Sequence, residues 1–131
     1  MFRSKGEADM KFFKCKECCT TAMELVAGEH DEAKVFQELK ANSTDAAGEK
    51  HVPVVEKKGD TVVVKVGELE HPMLEAHYIM WIYLETDRGG MLRKLMPGEK
   101  PEAEFVLPAG EKPVAAYEYC NLHGLWVAEI K

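Results

Sequence analysis

From residue 49 onward the chain runs in short stretches of β-branched and aromatic residues, each closed by glycine, proline or asparagine. This punctuation limits the fold more than any other feature. Such runs are too short for a helix with a buried stripe, whereas valine, isoleucine and aromatic side chains fit a pleated surface. HVPVVEKKGDTVVVKVG, residues 51–67, reads as a hairpin turning at Gly59-Asp60. HYIMWIYLET, residues 77–86, reads as a central strand starting at His77. Alternation puts Tyr78, Met80, Ile82 and Leu84 on one face and His77, Ile79, Trp81 and Tyr83 on the other. Residues 88–113 supply further short strands, and VAAYEYCNLHGLWVAEI closes the chain with a turn at Asn121 to Gly124. Regular turn signals without helical periodicity predict an all-β, antiparallel sandwich.

The N-terminal third reads differently. Residues 1–10 are polar and are expected to be mobile. A cysteine cluster follows, and then DEAKVFQELK, which suits a helical turn or a strand equally. Ala41–Gly48 (ANSTDAAG) is small and polar, as a linker is. The expected division is an irregular N-terminal segment with its linker over 1–44 and a β-domain over 45–131. With 17 basic against 23 acidic residues the net charge is −6, which argues against sequence-independent nucleic-acid binding. No apolar run approaches the ~20 residues that span a bilayer. The first residues are basic but lack the apolar stretch of a secretory signal, so a cytoplasmic location is expected.

Cysteine and histidine carry the chemistry. Cys15, Cys18 and Cys19 crowd near the start and Cys120 stands alone. In a reducing compartment that pattern favours metal or redox chemistry over a disulfide framework. Four histidines (His51, His71, His77 and His123) fall near strand ends or turns of the β-domain, where a rigid scaffold presents binding residues. Cys120-x-x-His123 can place sulfur and imidazole on one ion, and His71 and His77 are near enough for their loop to wrap it. Four imidazoles and a thiolate exceed the four ligands of structural zinc and suit iron with one open position. Each signal also has an ordinary reading: solvated or packed histidines, a buried small cysteine, a His-Pro turn. Spacing alone leaves both readings standing.

Four ordered motifs decide between them. GEKHVP (Gly48–Pro53), HPM followed by LEAH (His71–His77), PEAEF (Pro101–Phe105) and YCNLHG (Tyr119–Gly124) resemble the superoxide reductase family, which includes neelaredoxins and the catalytic domain of desulfoferrodoxins. The likeness runs from about residue 45 to residue 131. It implies a seven-stranded immunoglobulin-like sandwich around one iron cycling between Fe2+ and Fe3+. The family's equatorial histidines fall on His51, His71, His77 and His123, its axial thiolate on Cys120, and its glutamate-lysine pair on Glu49 and Lys50. In the family the glutamate becomes a sixth ligand of oxidised iron, and the lysine stands near the open face. The implied reaction reduces superoxide to hydrogen peroxide with one external electron, usually from rubredoxin or a similar small carrier. Homo-oligomers, dimeric or tetrameric, are usual in the family.

The N-terminus departs from that pattern. Desulfoferrodoxins carry Cys-x-x-Cys-Gly and later a Cys-Cys pair around a second iron. Here Cys15 and Cys18 match the first half, Cys19 replaces the glycine, and residues 30–40 hold no cysteine. A one-iron enzyme with a degenerate desulforedoxin-like module is expected. A Cys15/Cys18/Cys19/His30 zinc site, a redox disulfide between Cys15 and Cys18, and cysteines pooled between two chains remain alternatives, and otherwise His30 is a solvated loop residue. Trp81, Tyr83, Phe105, Tyr117 and Trp126 read as core, and Met73, Met80, Met91 and Met96 as packing.

Competing functions are a non-catalytic iron electron-transfer protein, a structural sandwich that merely retains histidines, and superoxide dismutation. Glu49-Lys50 argues against the first and the five-donor set against the second. Peroxide formed without oxygen would distinguish reduction from dismutation.

Overall fold

A computed structural model describes residues 7–29 and 31–131. His30 and the first six residues lie outside the described residues, so the zinc reading that includes His30, its reading as a solvated loop residue, and the expected mobility of the extreme N-terminus lie there too. The chain forms two compact units, one of Asp9–Lys40 and one that contains Ala41–Lys131. No helix is long and apolar enough to cross a membrane among the described residues.

In the smaller unit, β1 (Phe12–Cys15), β2 (Thr21–Met23) and β3 (Phe36–Glu38) form an antiparallel sheet in the order β2-β1-β3. The ambiguous DEAKVFQELK stretch is both of its readings in succession. Asp31 accepts a hydrogen bond from the Ala33 N–H and starts a single 3-10 turn over Glu32–Lys34. A three-residue nucleus is too short to propagate, and Val35-Phe36 turns the chain to strand, with Phe36 opposite Cys15.

The larger unit is an antiparallel β-sandwich, as expected. One helical turn, α1 (Gly48–His51), precedes β4 (Pro53–Lys58), β5 (Thr61–Val66), β6 (Ile79–Thr86), β7 (Gly89–Lys94), β8 (Glu102–Val106), β9 (Pro113–Cys120) and β10 (Gly124–Glu129). One sheet has the order β10-β9-β6-β7 and the other β4-β5-β8. The hairpin predicted around Gly59-Asp60 is β4–β5, with Lys58 opposite Thr61. Alternation on β5 drives the association: Val62, Val64 and Val66 are buried while Thr61, Val63 and Lys65 face outward. Each fully buried valine contributes about 1.5–3 kcal/mol. They meet Ile79, Ile82, Leu84, Ala103, Phe105, Ala116 and Cys120 in one core.

The predicted faces of the long strand need correction. β6 begins at Ile79, and His77 lies before it, exchanging backbone hydrogen bonds of 3.0 Å with Leu74 in an isolated bridge. Ile79 pairs with Cys120 but Trp81 pairs with Tyr119, so Met80 is one residue more than its partner strand supplies. This bulge shifts the alternation by one. Ile79 therefore joins Ile82 and Leu84 in the core, away from the face of Trp81 and Tyr83 assigned to it by simple alternation.

Candidate metal centre

Three stretches of chain converge at one end of the sandwich. The first is α1, which ends in His51. Gly67 lets this turn seat closely. Its φ is +83°, and a Cβ there would stand 2.6 Å from the Lys50 carbonyl oxygen and 2.5 Å from that of Leu69. The Gly67 N–H donates to the Val52 carbonyl at 3.2 Å and the Leu69 N–H to the Glu49 carbonyl at 3.0 Å. The second stretch is the β5–β6 connection, which carries His71 and His77. The third is the β9–β10 hairpin, where Cys120 ends one strand and Gly124, at φ +77°, opens the next. A three-residue loop followed by a left-handed glycine is a common hairpin closure, and it presents His123. Asn121 ties this hairpin to the second stretch. Its Oδ1 accepts from the Tyr78 N–H at 3.0 Å and its Nδ2 donates to the Ala76 carbonyl at 3.0 Å.

The four imidazoles form a closed circuit. Ring centroids are 4.7 Å apart for His51–His71, 4.7 Å for His71–His77, 5.1 Å for His77–His123 and 4.8 Å for His51–His123. Each ring stands edge-on to the next, at 78° to 85°. Cys120, fully buried, places Sγ 3.5 Å from His71 Nε2 and 4.0 Å from His123 Nδ1. The potential ligand atoms of His51, His71, His77 and Cys120 lie within 4.8 Å of one another. His123 adds a fifth donor, with Nδ1 3.0 Å from His51 Nε2.

The donor set fits a cation. His51 Nδ1 lies 2.8 Å from the Ala47 carbonyl and His71 Nδ1 2.7 Å from the Pro72 carbonyl. A carbonyl only accepts, so each Nδ1 carries the proton and each Nε2 turns a bare lone pair inward. The two Nε2 atoms lie 3.2 Å apart. His77 Nε2 is buried without a hydrogen-bond partner among the described residues. Burial is the main force lowering the pKa of His51 and His77, and it brings His71 down to about 4. Neutral imidazoles with inward lone pairs are what a soft or borderline metal requires. Burial also pushes the Cys120 thiol up, so a thiolate there needs a positive partner at close range.

Two further residues shape the centre. Trp126 stacks on His51 at 4.9 Å and 26°, and its indole N–H donates to the His123 carbonyl at 3.1 Å. It thereby steadies two of the five rings and chains at once, beyond the core role read for it. Glu118 was missed by sequence reasoning. It sits two residues before Cys120 on the same strand face, fully buried, and neither carboxyl oxygen has a hydrogen-bond partner among the described residues. A glutamate between two tyrosines looks like an ordinary solvated residue, and only its even spacing from Cys120 points inward. Burial raises its pKa well above the ordinary value. Glu49 and Lys50 are exposed on α1, and the Lys50 charge acts on both His51 and His77.

Comparison with known proteins agrees with this geometry. The desulfoferrodoxin family profile matches residues 43–129. A desulfoferrodoxin of Syntrophotalea carbinolica is 45% identical over 124 residues, spanning 92% of this chain and 96% of the relative. The crystal structure of the superoxide reductase from Treponema pallidum superposes with a TM-score of 0.77 at 39% identity, over 93% of this chain and 100% of that one. The one-iron superoxide reductase from Giardia intestinalis gives a TM-score of 0.55 at 35% identity, over 63% of this chain and 98% of that one.

Proposed function

Because the chain belongs to the desulfoferrodoxin family, we propose that His51, His71, His77, His123 and Cys120 together hold its single catalytic iron. The protein is an iron-dependent superoxide reductase, converting superoxide to hydrogen peroxide with one external electron and two protons. The observation that carries the ligand assignment is the set of inward lone pairs. His51 and His71 have their other nitrogens committed to carbonyls, and His77 Nε2 has no other partner among the described residues.

Iron, when bound, supplies the electron and the positive charge that draws an anion. The protein's own groups do the rest. Only Cys120 among the five donors is anionic when bound, so a divalent ion keeps a net positive charge in the centre. Cys120 pushes electron density toward the metal, as thiolates do elsewhere, and its burial excludes water from the sulfur. Lys50 adds local positive potential to the approach although the whole protein is acidic, because the local field and not the net charge governs steering. Glu49, exposed on the same turn, would offer a carboxylate to the oxidised metal and would take no part in turnover.

Residues 45–131 form the catalytic domain, and their four-plus-three strand arrangement supports an immunoglobulin-like sandwich. Residues 1–44 are a desulforedoxin-like segment that has lost its metal, with its linker. The electron donor is rubredoxin or a similar small carrier, the assembly is a homodimer or homotetramer, and the location is the cytoplasm.

The test is the metal content and visible spectrum of the purified protein. A single iron per chain is expected, with a thiolate-to-iron(III) band that bleaches on reduction and is lost in Cys120→Ser. Superoxide should yield peroxide without oxygen. Zinc alone, or oxygen released with the peroxide, would overturn the assignment.

A further inference from the structure

In the smaller unit the loop leaving β1 carries three free cysteines, Cys15 half-buried and Cys18 and Cys19 exposed. The Cys15 N–H donates to the Thr20 carbonyl at 2.8 Å and closes the loop. Within it the Cys18 N–H donates to Cys15 Sγ at 3.4 Å, and Cys18 Sγ lies 3.2 Å from the Thr20 hydroxyl. Cys19 adopts φ +62°, a left-handed turn that folds the loop back on itself. Among the described residues no group of three metal-ligating side chains forms around these sulfurs. The loop therefore carries an exposed sulfur, Cys18, on a residue whose backbone N–H is hydrogen-bonded to the half-buried sulfur of Cys15.

We propose that Cys18 is a peroxide-reactive thiol and Cys15 its resolving partner, so that hydrogen peroxide released by the reductase site converts the loop to a Cys15–Cys18 disulfide. The source of the oxidant rests on the reductase assignment. The reactivity of the loop does not.

The chemistry balances. The Cys18 thiolate attacks one oxygen of hydrogen peroxide, the O–O bond breaks, and the departing hydroxide takes a proton and leaves as water. Cys18 becomes a sulfenic acid. The Cys15 sulfur then attacks the Cys18 sulfur, the S–S bond forms, the S–O bond breaks, and a second water leaves. Two sulfurs give up one electron each, and one peroxide becomes two waters. An external dithiol reductant reverses the change, its own two thiols becoming a disulfide. Low thiol basicity, exposure and an adjacent resolving sulfur are the traits of redox-active cysteines.

The surroundings of Cys18 favour this role. Hydrogen bonding from Cys15 and then from Thr20 lowers its pKa from 9.0 to about 7. At pH 7 about half of such a thiol is thiolate, against ~1% for an ordinary one, while its lower basicity costs about tenfold in nucleophilicity.

The full-length, iron-loaded protein in its ferric form would be treated with one equivalent of hydrogen peroxide, alkylated, and mapped by peptide mass spectrometry. Cys15 and Cys18 should lose alkylation together and regain it after reduction. Cys15→Ser should trap Cys18 as a sulfenic acid captured by dimedone. Cys18→Ser should leave Cys15 alkylatable and superoxide reduction unchanged. Cys18 reacting no faster than glutathione, pairing of Cys18 with Cys19, or a second metal already covering the sulfurs would overturn the proposal. Since the peroxide is added directly, a reactive loop in a protein that fails to reduce superoxide would support the thiol chemistry and sink only the reductase as its source.

Discussion

The Nε2 atoms of His51 and His71 face each other across 3.2 Å with no proton to share, because each ring has its Nδ1–H committed to a carbonyl. Two lone pairs at that distance repel unless a cation lies between them. His71→Gln should therefore lower iron affinity by more than ~100-fold, beyond the range seen for removing outer partners of metal ligands. The check is iron retained after passage over a chelating resin, alongside the melting temperature. Full iron retention in the variant would exclude His71 as a ligand.

Lys50 lies on α1 directly before His51, and its charge is felt by both His51 and His77. Lys50→Ala should slow the second-order reaction with superoxide by roughly two- to tenfold at low ionic strength and flatten its salt dependence. Glu49→Ala should stay within about twofold of the parent, a modest change in local field. Pulse radiolysis across a salt series reads both. An unchanged rate for Lys50→Ala rules out steering by that residue, and a collapse for Glu49→Ala gives Glu49 a part in turnover.

Gly67 supports the turn that holds His51, and its φ of +83° and close approach to the Lys50 and Leu69 carbonyls leave no room for a side chain. Gly67→Ala should cost about 1–2 kcal/mol for the left-handed backbone alone, and more as the turn is pushed away. Gly59, at φ +62° with open space around its Cβ position, is the control. Gly59→Ala should lower the melting temperature but leave iron affinity intact, whereas Gly67→Ala should lower both. Equal iron affinity in the two variants would show that the turn does not depend on Gly67.

Burial holds the Glu118 carboxyl well above its ordinary pKa of 4.5. The folded protein keeps a proton that the unfolded chain releases. This contribution is therefore full below about pH 4.5 and declines as pH rises toward the folded value. Glu118→Gln has no such proton. It should be more stable than the parent at neutral pH and gain nothing in acid. Urea unfolding of the metal-free proteins at both pH values measures the difference, in which the histidines cancel. The same difference at both would mean that the carboxyl does not titrate as its burial demands.

Much of the sandwich was legible because Val62, Val64 and Val66 alternate with outward residues around an unambiguous turn at Gly59-Asp60. The candidate ligand histidines were legible in another way. Their spacing allowed a shared site, but only the ordered motifs around His51, His71, His77 and His123 singled it out, since convergence of distant segments is a tertiary fact. The start of β6 and the faces of His77 and Ile79 were not legible, because a bulge exists only relative to the strand it pairs with. Glu118 escaped for a related reason: its burial is a tertiary fact, and its even spacing from Cys120 is the one mark it leaves on the sequence. The stretch from Asp31 to Glu38 was undecidable because cap and strand signals sit side by side within it.

The single additional residue at Met80 works as a parity bit for the fold. It sets Ile79 against Cys120 while leaving Trp81 against Tyr119, so the residues before it are presented half a strand period out of step with Trp81–Glu85, after which the pairing shifts again at Thr86. Deleting one residue here would keep every strand and every valine, yet it would invert the side on which the segment bearing His77 leaves the sheet. Chains of this architecture should thus tolerate replacement at position 80 far better than any change in the number of residues between His77 and Ile82.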